Sequence, residues 1–199
     1  MSVLQLPRRA ADYSRVFPTR PPLHATPAWL EGVWMIGNTY RRKVGYHGEY
    51  PPSFLDRVLV LFGDLVPRLH AFSGSVHDPG GRSVDLRPEL RPDVVATVLR
   101  LPFRTNSFGL AIADPPYTNA DAERYGCPPV NKRLALKELA RVVRPGGAII
   151  WLDIRVPVYA RARTRLVGMI LLYTGSNRVI RTASILEVVC GAPHGMEAS

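Results

Sequence analysis

Apolar and polar positions along the chain fall into short blocks of two kinds. In "FLDRVLVLFGD", residues 54–64, Leu55, Val58, Leu59 and Phe62 recur at helical spacing, and Ser53 stands where an N-cap belongs. A second helical stripe starts at Lys132 and carries Leu134, Leu136, Leu139, Ala140 and Val143 on one side, with "RPGG" (144–147) to stop it. The other blocks are too short and too evenly apolar for surface helices and predict buried strands: 67–72, 82–86, part of 92–103, 108–113 and 148–154. "RLVGMILLY" (165–173) and "RTASILEVV" (181–189) read as a closing antiparallel pair. Strands that alternate with helices and glycine-containing turns predict an α/β fold built on a doubly wound, mostly parallel sheet with an antiparallel edge. In such sheets ligands bind beyond the carboxyl ends of the strands. The first 30 residues, rich in Pro and Arg and without clear periodicity, predict an extended arm, and residues 31–199 one domain.

Composition narrows the partners more than the fold. The chain has 199 residues, 46% apolar and 21% charged, with 26 Lys and Arg against 16 Asp and Glu, a net charge of +10. A small basic domain favours polyanionic partners, nucleic acid above all. No apolar run approaches the ~18 residues of a membrane span, and the N-terminus lacks the apolar core of a secretory signal. Cys127 and Cys190 lie far apart, which predicts a reducing, cytoplasmic setting without disulfides. His24, His47, His70, His77 and His194 show no metal-binding spacing, so no metal site is predicted. Trp34, Gly37, Asn38, Tyr46 and Tyr50 form a polar-aromatic segment best explained by packing.

The most informative stretch is "AIADPPYTNA". An apolar strand ends on Asp114, whose carboxylate can accept a hydrogen bond from an amino group. Pro115 has no amide hydrogen and offers only its carbonyl, and with Pro116 it fixes the backbone so that this acceptor keeps one direction. Two fixed acceptors suit a planar NH₂ group with two donors. Tyr117 adds a face on which an extruded base can stack. Such a grip aims the nitrogen lone pair at an electrophile and needs no covalent intermediate with the enzyme. A plain strand-to-loop turn, with Asp114 capping a backbone amide, is the structural alternative.

The surroundings of this tetrapeptide resemble the S-adenosylmethionine-dependent methyltransferase fold. The matching residues are Leu101-Pro102-Phe103, Asn106-Ser107-Phe108, Glu138, Arg141-Val142 and Arg144-Pro145-Gly146-Gly147. More narrowly, Asp114 to Tyr117 resemble the amine-binding motif of the adenine-N6 and cytosine-N4 DNA amino-methyltransferases. "RLHAFSGSV" resembles their cofactor loop, and residues 40–62 the segment ahead of it. The resemblance spans roughly residues 34–155 and implies a Rossmann-like class I methyltransferase. It further implies S-adenosylmethionine held by Phe72, Ser73, Gly74, Ser75, Asp85 and Thr97, and Asp114, Pro115, Pro116 and Tyr117 as catalytic residues. The sequence departs from the family at His70, where an acid is expected, at Val76, where a glycine is expected, and at Thr97, where an acid commonly meets the adenine.

The expected reaction is methyl transfer to an exocyclic amine of a nucleic-acid base, with DNA adenine N6 preferred over RNA. RNA base or protein glutamine N-methylation, and an inactive nucleic-acid-binding module, are the alternatives. Lys132, Arg133, Arg155, Arg161, Arg163 and Arg165 are the candidate nucleic-acid contacts. The last four share a face if the run is extended, although a charged strand edge would look the same. The chain leaves no room for a separate target-recognition region, so a partner could supply specificity.

Overall fold

The computed structural model describes residues 2–37, 50–76, 78–174 and 180–190. Asn38, Tyr46, His47, His77 and His194, together with residues 40–49 of the resembling segment, lie outside them. The described residues build one nine-stranded sheet: β1 (His24–Ala25), β2 (Leu30–Ile36), β3 (Arg68–Ala71), β4 (Gly81–Asp85), β5 (Val94–Val95), β6 (Phe108–Ala113), β7 (Val143–Asp153), β8 (Thr164–Thr174) and β9 (Ile180–Val188). The strand order is β1-β2-β8-β9-β7-β6-β3-β4-β5. From β2 to β5 all neighbours pair in parallel except β9, which runs antiparallel between β7 and β8. The antiparallel strand is thus enclosed by the sheet, and β1, also antiparallel, closes the edge.

The strands that form the middle of the sheet are apolar on both sides, as the sequence pattern requires. All six residues of β6 are buried, and so is β7 from Gly147 to Asp153. One face packs under α1 (Leu6–Val16) and α2 (Phe54–Phe62), with Leu6, Tyr13, Phe54, Leu110, Ile150 and Ile170 in contact. The opposite face packs under α4 (Lys132–Val142), through Leu136, Leu139 and Ala140 against Ala111, Ile149 and Trp151. Helices on both faces make the sheet doubly wound. A short α3 (Asn119–Arg124) follows the Asp114–Tyr117 turn and begins with a reciprocal capping box between Thr118 and Asp121. No helix among the described residues is long and apolar enough to cross a membrane.

Three sequence expectations need correction. Residues 1–30 are not an extended arm. Leu6, Ala10 and Tyr13 put one buried stripe on α1, and Arg9 ties that helix to the Leu61 carbonyl and, at 2.6 Å, to Asp64. The arginines around that stripe masked it, because their charged ends reach solvent or carbonyls while the helix face stays apolar. Ser53 is left-handed (φ 58°) and makes no side-chain cap, since the two prolines before it set up a turn in which Phe54 N–H bonds the Pro51 carbonyl at 3.0 Å. Val143 is not helical and the strand expected from 148 starts earlier: α4 stops at Val142, and residues 143–147 already belong to β7, with Gly146 at φ 78°.

Candidate active site

The chain direction across the sheet reverses between β3 and β6. From β3 it proceeds outward through β4 and β5, and from β6 the other way through β7. That switch opens a crevice at the strand ends. A cleft of about 680 Å³, measured out to its mouth, lies there. Phe72, Asp85, Thr97 and Asp114, from the ends of β3, β4, β5 and β6, all line it. Parallel pairing in register holds these ends side by side, Ala71 against Ala113 and Ala71 against Val84. The structure therefore brings together residues that lie far apart in sequence. Leu86, Ala96, Val98, Leu99 and Val130 give the cleft apolar walls, and Pro116, Tyr125 and Cys127 complete the rim.

The loop after β3 is shaped by its backbone. Phe72 and Gly74 both adopt left-handed conformations (φ 55° each), so the chain turns at once. Ser73 N–H bonds the Val84 carbonyl at 3.0 Å, and Gly74 N–H bonds Asp85 Oδ2 at 2.9 Å. Ser73 and Gly74 are buried, whereas Ser75 is exposed. Asp85 Oδ1 accepts the Arg87 N–H at 3.0 Å. Arg87 Nε lies 3.7 Å from the same oxygen, and since a carboxylate offers about four acceptor sites, Asp85 can still accept hydroxyl hydrogens from a ligand. Thr97 faces the cleft, but its Oγ1 accepts the Leu99 N–H at 3.2 Å, which uses part of its acceptor capacity on its own turn.

His70, in the place of an acid, is buried inside a polar network. Its Nε2 hydrogen-bonds Asp78 Oδ2 at 3.0 Å, which leaves Nδ1 facing the Tyr50 hydroxyl at 3.4 Å. Arg68 grips Asp78 with two bonds of 2.8 and 2.7 Å. Burial pushes the His70 pKa down, against the pull of Asp78, so the ring stays neutral. An acid does stand beside His70, brought there from further along the chain as Asp78, but it fastens the loop and does not line the cleft.

Asp114 has the opposite surroundings. Burial raises its pKa to about 7, and the nearby Asp153 adds to that rise. A hydrogen bond from Tyr117 and the charges of Arg181 and Lys132 act against it. Pro115 is buried and Pro116 faces the cleft, so the two prolines form a stiff inner wall. Tyr117 differs from the expected open stacking face. Its hydroxyl lies near enough to Asp114 to oppose the rise in that carboxyl's pKa, and the Arg181 guanidinium lies 5.6 Å from its ring centre. Arg181 arrives from β9, the antiparallel strand, and only the strand order places it here.

The candidate nucleic-acid contacts separate. Lys132 is not free for phosphate: its Nζ bonds the Tyr117 carbonyl at 2.9 Å and Asp153 at 2.6 Å, locking the Asp114–Tyr117 turn to the end of β7. Arg165 pairs with the buried Glu187 directly opposite it on β9, at 2.5 Å. Arg155, Arg161 and Arg163 are exposed, but residues 154–163 are loop and turn, so the shared face of an extended run does not form. Thr164 N–H bonding the Ala160 carbonyl at 2.9 Å curls that segment. Arg133 is exposed in the first turn of α4.

No protein-family model and no curated protein sequence matches the chain. Among solved structures it is similar to TrmN from Thermus thermophilus, at 17% identity over 61% of this chain and 43% of that one, TM-score 0.47. It is also similar to the N-methyltransferase NodS from Bradyrhizobium japonicum WM9, at 10% identity over 62% of this chain and 85% of that one, TM-score 0.43. A third similarity is to an Anaeromyxobacter dehalogenans protein described as a candidate type II methyltransferase, at 21% identity over 61% and 52%, TM-score 0.35. The chain thus spans less than half of TrmN and about half of the third protein. With every TM-score below 0.5, the fold assignment rests on the strand order and pairing described above.

Proposed function

We propose that the protein is an S-adenosylmethionine-dependent N-methyltransferase acting on an exocyclic amine of a nucleic-acid base, DNA adenine N6 in the first instance. One observation carries the proposal: Asp114, a desolvated carboxyl acceptor held by two prolines, opens into the same apolar cleft as Asp85. The cleft suits the cofactor on its own chemistry. Apolar walls from Leu86, Ala96, Val98 and Leu99 fit a flat ring, and Asp85 retains acceptor capacity for ribose hydroxyls, whereas Ser73, Gly74 and Ser75 lie outside the lining of the cleft. When bound, the cofactor supplies an electrophilic methyl group.

The chain's own residues then orient the amine. Ionised Asp114 and the Pro115 carbonyl accept its two N–H hydrogens, which directs the lone pair away from the ring. Lys132 keeps the Asp114 turn in place through the Tyr117 carbonyl and Asp153. Arg181 favours the ionised carboxylate, the form that can accept. An amine that gains a methyl group must give up a proton. A carboxylate with a pKa near 7 is matched to receive it. Titration calorimetry with S-adenosylmethionine, followed by transfer of a labelled methyl group to DNA, tRNA, rRNA and total protein, tests the proposal. Micromolar cofactor binding with label in DNA N6-methyladenine is expected. Absence of cofactor binding refutes the enzyme, and label in RNA or protein alone refutes the DNA assignment.

A further inference from the structure

A second cavity opens beside the cleft, between the outer face of α4 and the loop that leads into β8. It measures about 1090 Å³ out to its mouth, and its lining includes Arg133, Leu134, Lys137, Val158, Tyr159 and Arg163. The two cavities adjoin in the chain: Val130 lines the cleft and Asn131 lines this groove. We infer that this groove binds single-stranded nucleic acid, holding the phosphates and an unstacked base next to the target nucleotide.

Charge is the first support. Arg133, Lys137 and Arg163 lie along the groove, no acidic residue lines it, and none of the three makes an ion pair among the described residues. A cavity elsewhere gives the contrast. Next to α1, Arg8 and Arg9 are balanced by Asp12 and Asp64, and Arg9 is bonded to Asp64. The cations lining the α1 cavity are thus balanced by acids of the same lining, and those lining the groove are not. Three uncompensated cations around one groove suit the charge of a phosphate backbone.

The apolar lining is the second support, and it selects the strand state. Leu134 and Val158 leave 47% and 74% of their surface exposed. Tyr159 is half-buried among the same residues, with its ring against the core under α4. A duplex presents phosphate and sugar to a protein surface and keeps its bases stacked. Exposed apolar side chains beside cations match a base that has left its stack. A single strand also removes the cost of extruding the target base into the cleft.

This inference rests on the proposed methyltransferase activity, so the test keeps the two apart. Fluorescence anisotropy of the full chain measures affinity for a labelled 12-mer single-stranded DNA, the same sequence as RNA, the matching duplex, and a poly-glutamate peptide. Calorimetry with S-adenosylmethionine runs in parallel. The single strand is expected to bind at least tenfold tighter than the duplex. R133A/K137A/R163A should weaken binding about 100-fold and flatten the salt dependence by about two units of slope, roughly 0.7 for each phosphate no longer neutralised. Y159A should weaken oligonucleotide binding roughly tenfold, and K137E alone should show the same direction as the triple variant. Cofactor binding should not change in any of them. Undiminished affinity in the triple variant, equal or tighter duplex binding, or equal binding of poly-glutamate overturns the groove assignment. Strand binding that tracks the groove residues without any cofactor binding would sustain the groove and sink the methyltransferase proposal instead.

Discussion

Two loops at neighbouring strand ends each present an aspartate, and the two carboxyl groups have opposite fates. In the loop after β3, Asp78 receives two bonds from Arg68, one from His70 and one from the Gly80 N–H. Those donors, Arg68 foremost, hold its carboxyl well below the usual carboxylate range. In the turn after β6, Asp114 has burial without a matched cation bonded to it, and its pKa rises to about 7. A satisfied carboxylate fastens a loop. An unsatisfied one, facing a cleft, retains the capacity to bind something that arrives. The cations sort the same way: Lys132 and Arg165 close internal pairs, while Arg133 and Arg163 stay open along a groove.

The comparison breaks most visibly at Asp114. Asp114→Ala should reduce methyl transfer at least ~10³-fold while cofactor binding changes less than about threefold, because the group acts on the amine. Asp114→Asn removes a charge whose folded pKa is raised. The penalty is absent below the ordinary carboxylate pKa, grows as pH rises toward 7 and is complete above it. The asparagine variant should therefore be more stable than the parent by about 4 kcal/mol in urea unfolding at pH 8, and the gain should vanish near pH 4. A parent that matches the variant at pH 8 would contradict the desolvation account.

Asp78→Ala should act on stability instead, since it strands the Arg68 guanidinium and the buried His70. A destabilisation of about 3 kcal/mol in denaturant unfolding is expected. Transfer per folded molecule should fall much less than for Asp114→Ala. The Asp78 contribution is present above the ordinary carboxylate range and disappears as pH falls through its lowered value. His70 acts in the same direction, because its depressed pKa makes protonation of the folded state costly below about 6.5.

Arg181→Ala sharpens the contrast with a smaller effect. Without the cation beside it, the Asp114 pKa rises further, and the acidic limb of the pH–rate profile should move up from about 7 by roughly one pH unit. An unshifted limb with uniformly reduced activity would assign Arg181 a merely structural role. Thr97→Ala should be the mildest change, less than about threefold in cofactor affinity by calorimetry. Its hydroxyl is already engaged by the Leu99 N–H, so little of it remains for a ligand. A tenfold weakening would restore Thr97 as a principal cofactor contact.

Local physics made much of this molecule legible in the chain. The uniformly apolar runs at 108–113 and 148–152 could only be strands buried on both faces, and the helical stripe of α4 had one possible inner side. The Asp-Pro-Pro-Tyr turn advertised itself because proline stiffens its own backbone wherever it stands. Pattern could not reveal α1, whose arginines disguise a short apolar face, or β2, which finds its partner β8 far along the chain. It misjudged Lys132 and Arg165 for one reason: a charge looks free until its partner is brought to it, and Asp153 and Glu187 come from other strands. Strand order alone set Arg181 over Tyr117, and the fold of the loop after β3 set Asp78 beside His70. Helix and strand are decided by neighbours in sequence, whereas a pKa is decided by whatever folding moves within a few ångströms.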